Sequence, residues 1–171
     1  MKNVYRFLVA MGIVGIAASA SNALVGGAVT YGAASYGGFS ASLVGVEVET
    51  PFTNLPIPLV ATRWAFQTGK SGTVTITPVT VSLAMKIPVT NIYGFVNTGL
   101  IFVSDTAVAG TVPGPFSFGA GVGYEYSIVP TASAFAQLGY QSATISTTIG
   151  GAAYSLNLTG TSYVVGLRMG L

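Results

Sequence analysis

The chain carries six basic and four acidic residues and contains neither His nor Cys. That short inventory limits the chemistry available. Ser-His and Cys-His nucleophile pairs cannot be assembled, nor can most zinc sites, so no cofactor and no metal site is expected. For proton transfer there remain Glu47 and Glu49, two carboxylates at a spacing of two, which could in principle share acid and base work. With Arg63 nearby in the chain, a structural ion pair is the simpler use of them. The stretch Gly119 to Gly123 (GAGVG) has the composition of a phosphate-cradling loop. It lies inside an alternating run with no helix after it, however, and a nucleotide site requires that helix.

The elements that must position these groups are strands, because the hydrophobic period is two almost throughout. In Phe116 to Ile128 the alternation is cleanest: Phe116, Phe118, Ala120, Val122, Tyr124, Tyr126 and Ile128 share one face, and Ser117, the glycines, Glu125 and Ser127 the other. The first strand is expected over Val25 to Tyr36 and the second over Phe39 to Thr50, joined at Gly37-Gly38, where glycine accepts the positive φ of a two-residue turn. Pro51 to Pro58, with three prolines, reads as a turn. Leu59 to Gln67 follows with Val60, Thr62, Trp64 and Phe66 on the apolar side, then a loop at Gly69 to Gly72. Thr73 to Ile87 changes apolar phase at Pro78, which predicts a β-bulge there. Ile92 to Ser104 has ambiguous parity, with Val96, Thr98, Leu100 and Phe102 favoured on the apolar side. Asp105 to Pro115 and Thr148 to Leu156 read as the two longer loops, flanking Phe116 to Ile128, a turn at Val129 to Thr131 and a strand from Ala132 to Thr147. Thr161 to Leu171 closes the chain. The fold class expected is therefore all-β, an eight-stranded antiparallel up-and-down transmembrane β-barrel.

Composition supports that choice. Half of the residues are hydrophobic and only 6% are charged, whereas an ordinary water-facing surface is about a quarter to a third charged. Disorder is excluded by the same numbers. The start of the chain, with Lys2 and Arg6, an apolar run from Phe7 to Ala17 and the small residues Ala18-Ser19-Ala20 and Ser21-Asn22-Ala23, reads as a cleaved signal peptide over residues 1–23, leaving 24–171 as the barrel. The formal net charge of +2 belongs to Lys2 and Arg6. The rest is balanced, so there is no basic stripe for nucleic acid. After the leader no apolar run is long enough for a membrane helix, which leaves a closed barrel as the way for an exported, greasy chain to cross a bilayer.

By parity Glu47, Glu49, Arg63, Lys86, Glu125 and Arg168 all fall on the polar, inward face, in one half of the barrel. Eight strands leave an interior just wide enough for side chains, so these six are expected to form a charge-paired plug. The competing reading is that they merely keep the lumen wet. On the outward face Tyr31, Trp64, Tyr124, Tyr126 and Tyr140, with Tyr93 and Tyr163, are candidates for interfacial aromatic girdles. A lipocalin-type barrel would reverse this polarity, with charges outside and an apolar calyx.

Three segments, FGAGVGYEYS (Phe118 to Ser127), AFAQLGYQ (Ala134 to Gln141) and VVGLRMGL (Val164 to Leu171), resemble in type and order those of the small outer-membrane β-barrels of the OmpX and OmpA type, the opacity-like group. Tyr163, Gly166, Leu167, Met169 and Leu171 resemble that family's C-terminal insertion signal, with Leu171 where Phe is usual and Val164 where a polar residue is common. The resemblance implies a non-enzymatic protein of the outer membrane of a Gram-negative-type bacterium. Its expected partners are membrane lipid and the outer-membrane assembly machinery, which would engage the last strand; a monomer is expected. It also implies a structural or surface-contact role. Alternatives are adhesion through the two longer loops, a narrow channel for small solutes, or a secreted soluble barrel with an apolar ligand.

Overall fold

A computed structural model describes residues 26–37, 39–51, 60–105, 111–112, 116–149 and 152–170. The expected leader and the segment 52–59 lie outside the described residues. Eight long strands alternate along the chain: β1 (Gly26–Tyr36), β2 (Phe39–Pro51), β3 (Val60–Ser71), β4 (Val74–Lys86), β5 (Ile92–Asp105), then, after a two-residue β6 (Thr111–Val112), β7 (Phe116–Val129) and β8 (Ala132–Ser142). A separate pair, β9 (Thr144–Ile149) and β10 (Ala152–Asn157), precedes the last long strand, β11 (Gly160–Gly170).

Each long strand pairs antiparallel with its sequence neighbour, and β1 pairs with β11 from Gly26↔Gly170 to Tyr36↔Gly160, so the sheet closes on itself. Closure removes the unpaired edges that an open sheet would present. The turns at Gly37, at Gly72-Thr73 and the β9–β10 hairpin lie at one end, here called the crown. The turns at residues 87–91 and 130–131 lie with Gly26 and Gly170 at the other, the base. Gly37 and Gly72 both have positive φ, which explains glycine at those turns.

Several expected boundaries shift. The loop placed at Gly69 to Gly72 is mostly strand: β3 runs through Ser71, and only Gly72 and Thr73 turn. No bulge occurs at Pro78, because β4 keeps one register against β5 from Val74↔Asp105 to Lys86↔Tyr93. Val74, Ile76, Pro78, Thr80, Ser82, Ala84 and Lys86 all share the inward parity. The apolar phase changes at Pro78 because the barrel's interior becomes apolar toward the crown, while the backbone runs on unshifted. The register irregularity lies instead between Ser127 and Val129, beside the turn at the base.

The strand expected from Ala132 to Thr147 breaks at Ala143, and of the loop expected at Thr148 to Leu156, residues 148–149 belong to β9 and 152–156 to β10, the two between lying outside the described residues. Of the loop expected at Asp105 to Pro115, Asp105 ends β5 and residues 111–112 pair with Val103 and Ser104. Its other residues lie outside those described. Strand β5 faces as expected, with Val96 and Leu100 outward.

Candidate functional site

Inward positions near the base hold a compact set of ions. Arg168 on β11 donates from Nη2 to Glu47 Oε1 (2.6 Å) and from Nη1 to Glu125 Oε2 (2.7 Å). Arg63 on β3 donates from Nε to Glu49 Oε2 (2.7 Å) and holds Nη2 at 3.5 Å from Glu125. Lys86 on β4 places Nζ 3.6 Å from Glu125 Oε2, with its side chain half exposed. Ser133 on β8 donates to the other Glu125 oxygen (2.7 Å). Register explains the convergence. Glu49 is directly opposite Arg63, and Ser133 is opposite Arg168, so neighbouring strands carry complementary groups to one level. Three acids and three bases cancel, and each carboxylate is shared between cations. That sharing is the condition under which buried charge is tolerable.

Two aromatic rings complete the cluster. The Arg63 guanidinium carbon lies 4.3 Å from the centroid of the Tyr93 ring, and that of Arg168 lies 4.5 Å from Phe135. Both are cation–π distances. The rings fit inside because glycines stand across from them: Tyr93 opposes Gly123, Phe95 opposes Gly121 and Phe135 opposes Gly166. A Cβ at any of these three glycines would run into the facing ring. Small facing large is how a narrow barrel fills its interior. The run GAGVG therefore has a packing purpose, and no helix follows it.

Above the ions the lumen is neutral and polar. Gln141 donates to Ser117 Oγ (2.8 Å) and accepts from Tyr36 Oη (3.2 Å), while Gln67 reaches Thr30 Oγ1 (3.4 Å). Among these groups, with Asn97, Gln137 and Thr80, is a cavity of about 50 Å³, room for a few waters. Toward the crown the interior turns apolar, with Tyr36, Leu43, Ile76, Ile101 and Leu158 packed together and essentially inaccessible. Leu158 comes from the foot of the β9–β10 hairpin, held by its own N–H on Ala143 O (2.8 Å). At the base, Glu49, Lys86, Glu125 and Arg168 line an open vestibule of about 250 Å³ together with Ser127, Thr131 and Ser133.

All six charged residues expected inside are thus in mutual contact. Tyr31, Trp64, Tyr124, Tyr126, Tyr140 and Tyr163 are all on the outer surface. Tyr93 is not: it lies inside under Arg63, because β5 carries aromatic residues on both faces. Leu167 and Met169 face outward with Tyr163, Gly166 faces the lumen, and Leu171 lies outside the described residues. A second residue that sequence reasoning misplaced is Lys70, assigned to a loop. It is a β3 residue on the outward face, paired across to Ser42 and Thr75. The signal for it was the outward parity of Thr62, Trp64 and Phe66, which continues to Lys70.

The polarity decides the class. Trp64 and Phe118 are 54% and 64% exposed, whereas Arg63 is 2% exposed. A calyx-type soluble barrel needs the reverse. The fold is an eight-stranded antiparallel transmembrane β-barrel of the small outer-membrane type. Solved structures share it. Neisserial surface protein A is similar with a TM-score of 0.60 and 13% identity, over 87% of this chain and 97% of that one. The outer membrane protein AlkL, determined in DMPC lipid bilayers, is similar with a TM-score of 0.52 and 10% identity, over 87% and 90%. The N-terminal β-barrel domain of Pseudomonas aeruginosa OprF is similar with a TM-score of 0.50 and 15% identity, over 85% and 97%. At such identities the likeness is one of fold. No protein-family model and no curated protein sequence matches the chain.

Proposed function

We propose that the chain is a non-catalytic, monomeric outer-membrane protein of a Gram-negative-type bacterium. In this reading its barrel spans the membrane with a charge-plugged lumen and serves a structural or surface-contact role. The observation that carries the proposal is the inverted polarity: a largely apolar exterior around an interior that holds Arg63, Arg168, Glu47 and Glu125 buried in mutual ion pairs. Lipid welcomes such an exterior, and water would not. Catalysis finds no support, since Glu47 and Glu49, the one acid/base candidate, are both engaged by guanidinium groups. In the same reading residues 1–23 are the leader. Tyr163, Gly166, Leu167, Met169 and Leu171 are what the assembly machinery would engage, and Tyr31, Trp64, Tyr124, Tyr126 and Tyr140 are girdle residues.

Outer-membrane fractionation with gel mobility before and after heating tests the localisation; the expected result is a heat-modifiable band in the outer-membrane fraction. Planar-bilayer recording tests the plug. Events of nanosiemens size from the native protein would rule it out and favour a channel. Contact with other surfaces has one supporting observation, the β9–β10 hairpin, which forms its own two-stranded sheet at the crown. Deleting residues 144–157 and measuring cell adhesion tests that role, with loss of binding expected if the hairpin makes the contact.

A further inference from the structure

The ion cluster is short of one cation on its open side. Glu47, Glu49 and Glu125 meet two buried guanidiniums, while the third cation, Lys86, is half exposed and reaches only Glu125, at 3.6 Å. Both guanidinium contacts of Glu49 fall on one oxygen, Oε2, with Arg63 Nε at 2.7 Å and Arg168 Nη1 at 3.3 Å. Among the described residues no ion pair or hydrogen bond reaches its Oε1. Glu49 is also the most open of the three carboxylates, 25% exposed against 6% for Glu47 and 9% for Glu125. It lines the vestibule at the base.

Beside Glu49 lies the start of β1. Gly26 is its cross-strand partner and lines the same vestibule. The inner side of Gly26 abuts the cluster: a Cβ placed there would be 3.5 Å from Glu49 Cβ and 3.6 Å from Arg168 Cδ. Gly27 has open space around it, and two successive glycines let the chain bend inward.

We infer that the α-ammonium created by removal of the leader docks in this vestibule on Glu49. The inference rests on the leader reading above, with cleavage after Ala23. Leu24 then begins the chain, two residues before Gly26. Two residues span at most about 7 Å, so the new amine stays within reach of the mouth. So short a tether gives it an effective concentration on the order of millimolar or more, an advantage no dissolved cation has. An ammonium brings three donors, and the vestibule offers the Glu49 carboxylate with the hydroxyls of Ser127, Thr131 and Ser133. Val129, Pro130 and Ala132 supply an apolar seat for the Leu24 side chain. The charged groups around the amine are Glu49 from β2, Arg63 from β3, Lys86 from β4, Glu125 from β7 and Arg168 from β11. The two guanidiniums are already matched by Glu47 and Glu125, and solvent screens Lys86, which leaves Glu49 to hold the ammonium. Before cleavage the same nitrogen is an uncharged peptide N–H, so only the processed chain can make this contact and close the mouth.

The test uses the barrel as exported and processed by the cell, purified in detergent micelles. Intact mass gives its first residue. Reductive methylation with isotope-labelled formaldehyde, which keeps the amine cationic, marks the α-amine, and its NMR shift against pH gives the pKa. A carboxylate partner favours the charged form, so the expected value is about one pH unit above the ordinary α-amino range near 8. Glu49→Gln should return it to that range. A second variant, with Gly-Ser-Gly-Ser inserted after Ala23, keeps every barrel side chain and should also lose most of the rise, because a longer arm dilutes the amine at the mouth. Heat-modifiable mobility shows that each variant is folded. A chain that starts at Leu24 with an ordinary α-amine overturns the docking and leaves the leader reading standing. A raised pKa that survives Glu49→Gln overturns Glu49 as the partner. A start at Ser21, after cleavage at Ala20, also overturns the docking, since three more residues then separate the amine from the mouth. A mass that retains residues 1–23 sinks the leader reading and the docking with it.

Discussion

In the plugged-lumen reading proposed above, the two halves of the lumen close the same narrow bore by opposite means. At the crown the plug is apolar, with Leu43, Ile76, Ile101, Val103 and Leu158 packed beneath the hairpin. At the base it is ionic, with two guanidiniums, each over an aromatic ring, paired to three carboxylates. The crown can be greasy because the foot of the hairpin lies across it and keeps water out. The base cannot, because it opens to a polar vestibule. A hydrophobic plug works by excluding water and is indifferent to salt. An ionic plug works by mutual compensation, so removing one member damages all its partners. The comparison predicts distinct responses of the two ends to mutation.

The largest effect belongs to the ionic end. Arg168→Ala leaves Glu47 and Glu125, both well buried, without their shortest ion pairs and should cost about 3–5 kcal/mol. Urea unfolding in lipid or detergent, followed by gel mobility, reads this directly. A loss below about 1 kcal/mol would mean that water reaches the cluster and compensates the carboxylates, as exposed pairs permit. Next comes the apolar end. Ile76→Ala, at a site with no solvent access, should cost about 2–5 kcal/mol by cavity formation. Its loss should be the same at low and high salt. Neither single change is expected to open a pore, since the other plug remains. The double variant Arg168→Ala, Ile76→Ala should conduct in planar bilayers where the single variants do not, and conduction by Ile76→Ala alone would show that the ionic end does not seal.

How much of this was legible beforehand follows from the same contrast. Where one face was apolar and the other Gly or charge, as from Phe116 to Ile128, alternation specified strand and facing together. The six inward charges followed from parity, because each interrupts an apolar run at a fixed phase. Parity failed wherever inside and outside have similar chemistry. On β4 the inward Ile76 sits in the apolar crown, so the hydrophobic phase shifted at Pro78 and mimicked a bulge. On β5 the favoured parity held at Val96 and Leu100, but the inward Tyr93 and Phe95 are as aromatic as any membrane-facing residue, so Tyr93 was counted among the girdle candidates. Lys70 was lost because glycines on both sides of it look like a loop. The hairpin was missed because Thr144 to Asn157 alternates too weakly to separate strand from loop. The contacts between Arg63, Arg168 and the three glutamates needed the closure of β1 on β11, which no local pattern encodes.

A third prediction sharpens the ionic end by testing its supports. Gly123→Ala drives a Cβ into the Tyr93 ring, which in turn carries Arg63 on its face. The expected cost is about 1–3 kcal/mol. Gly27→Ala, on the outer surface with open space around its Cβ, should cost much less in the same unfolding assay. Equal losses would mean that glycine on β7 serves the backbone and not the ring.

The smallest effect expected is at Lys86, and it probes where the ionic plug meets water. Lys86 contacts the same carboxylate oxygen as Arg168, but at 3.6 Å and with about half of its side chain exposed, against 2.7 Å and near-complete burial. Solvent screens the first pair and hardly touches the second. Lys86→Ala should therefore cost less than about 1 kcal/mol, and raising the salt concentration should erase even that. The loss from Arg168→Ala should persist in the same buffers. If the two substitutions respond alike to salt, the vestibule does not end at Glu125, water continues to Glu47, and the division of the lumen into a wet mouth and a dry ionic layer is wrong.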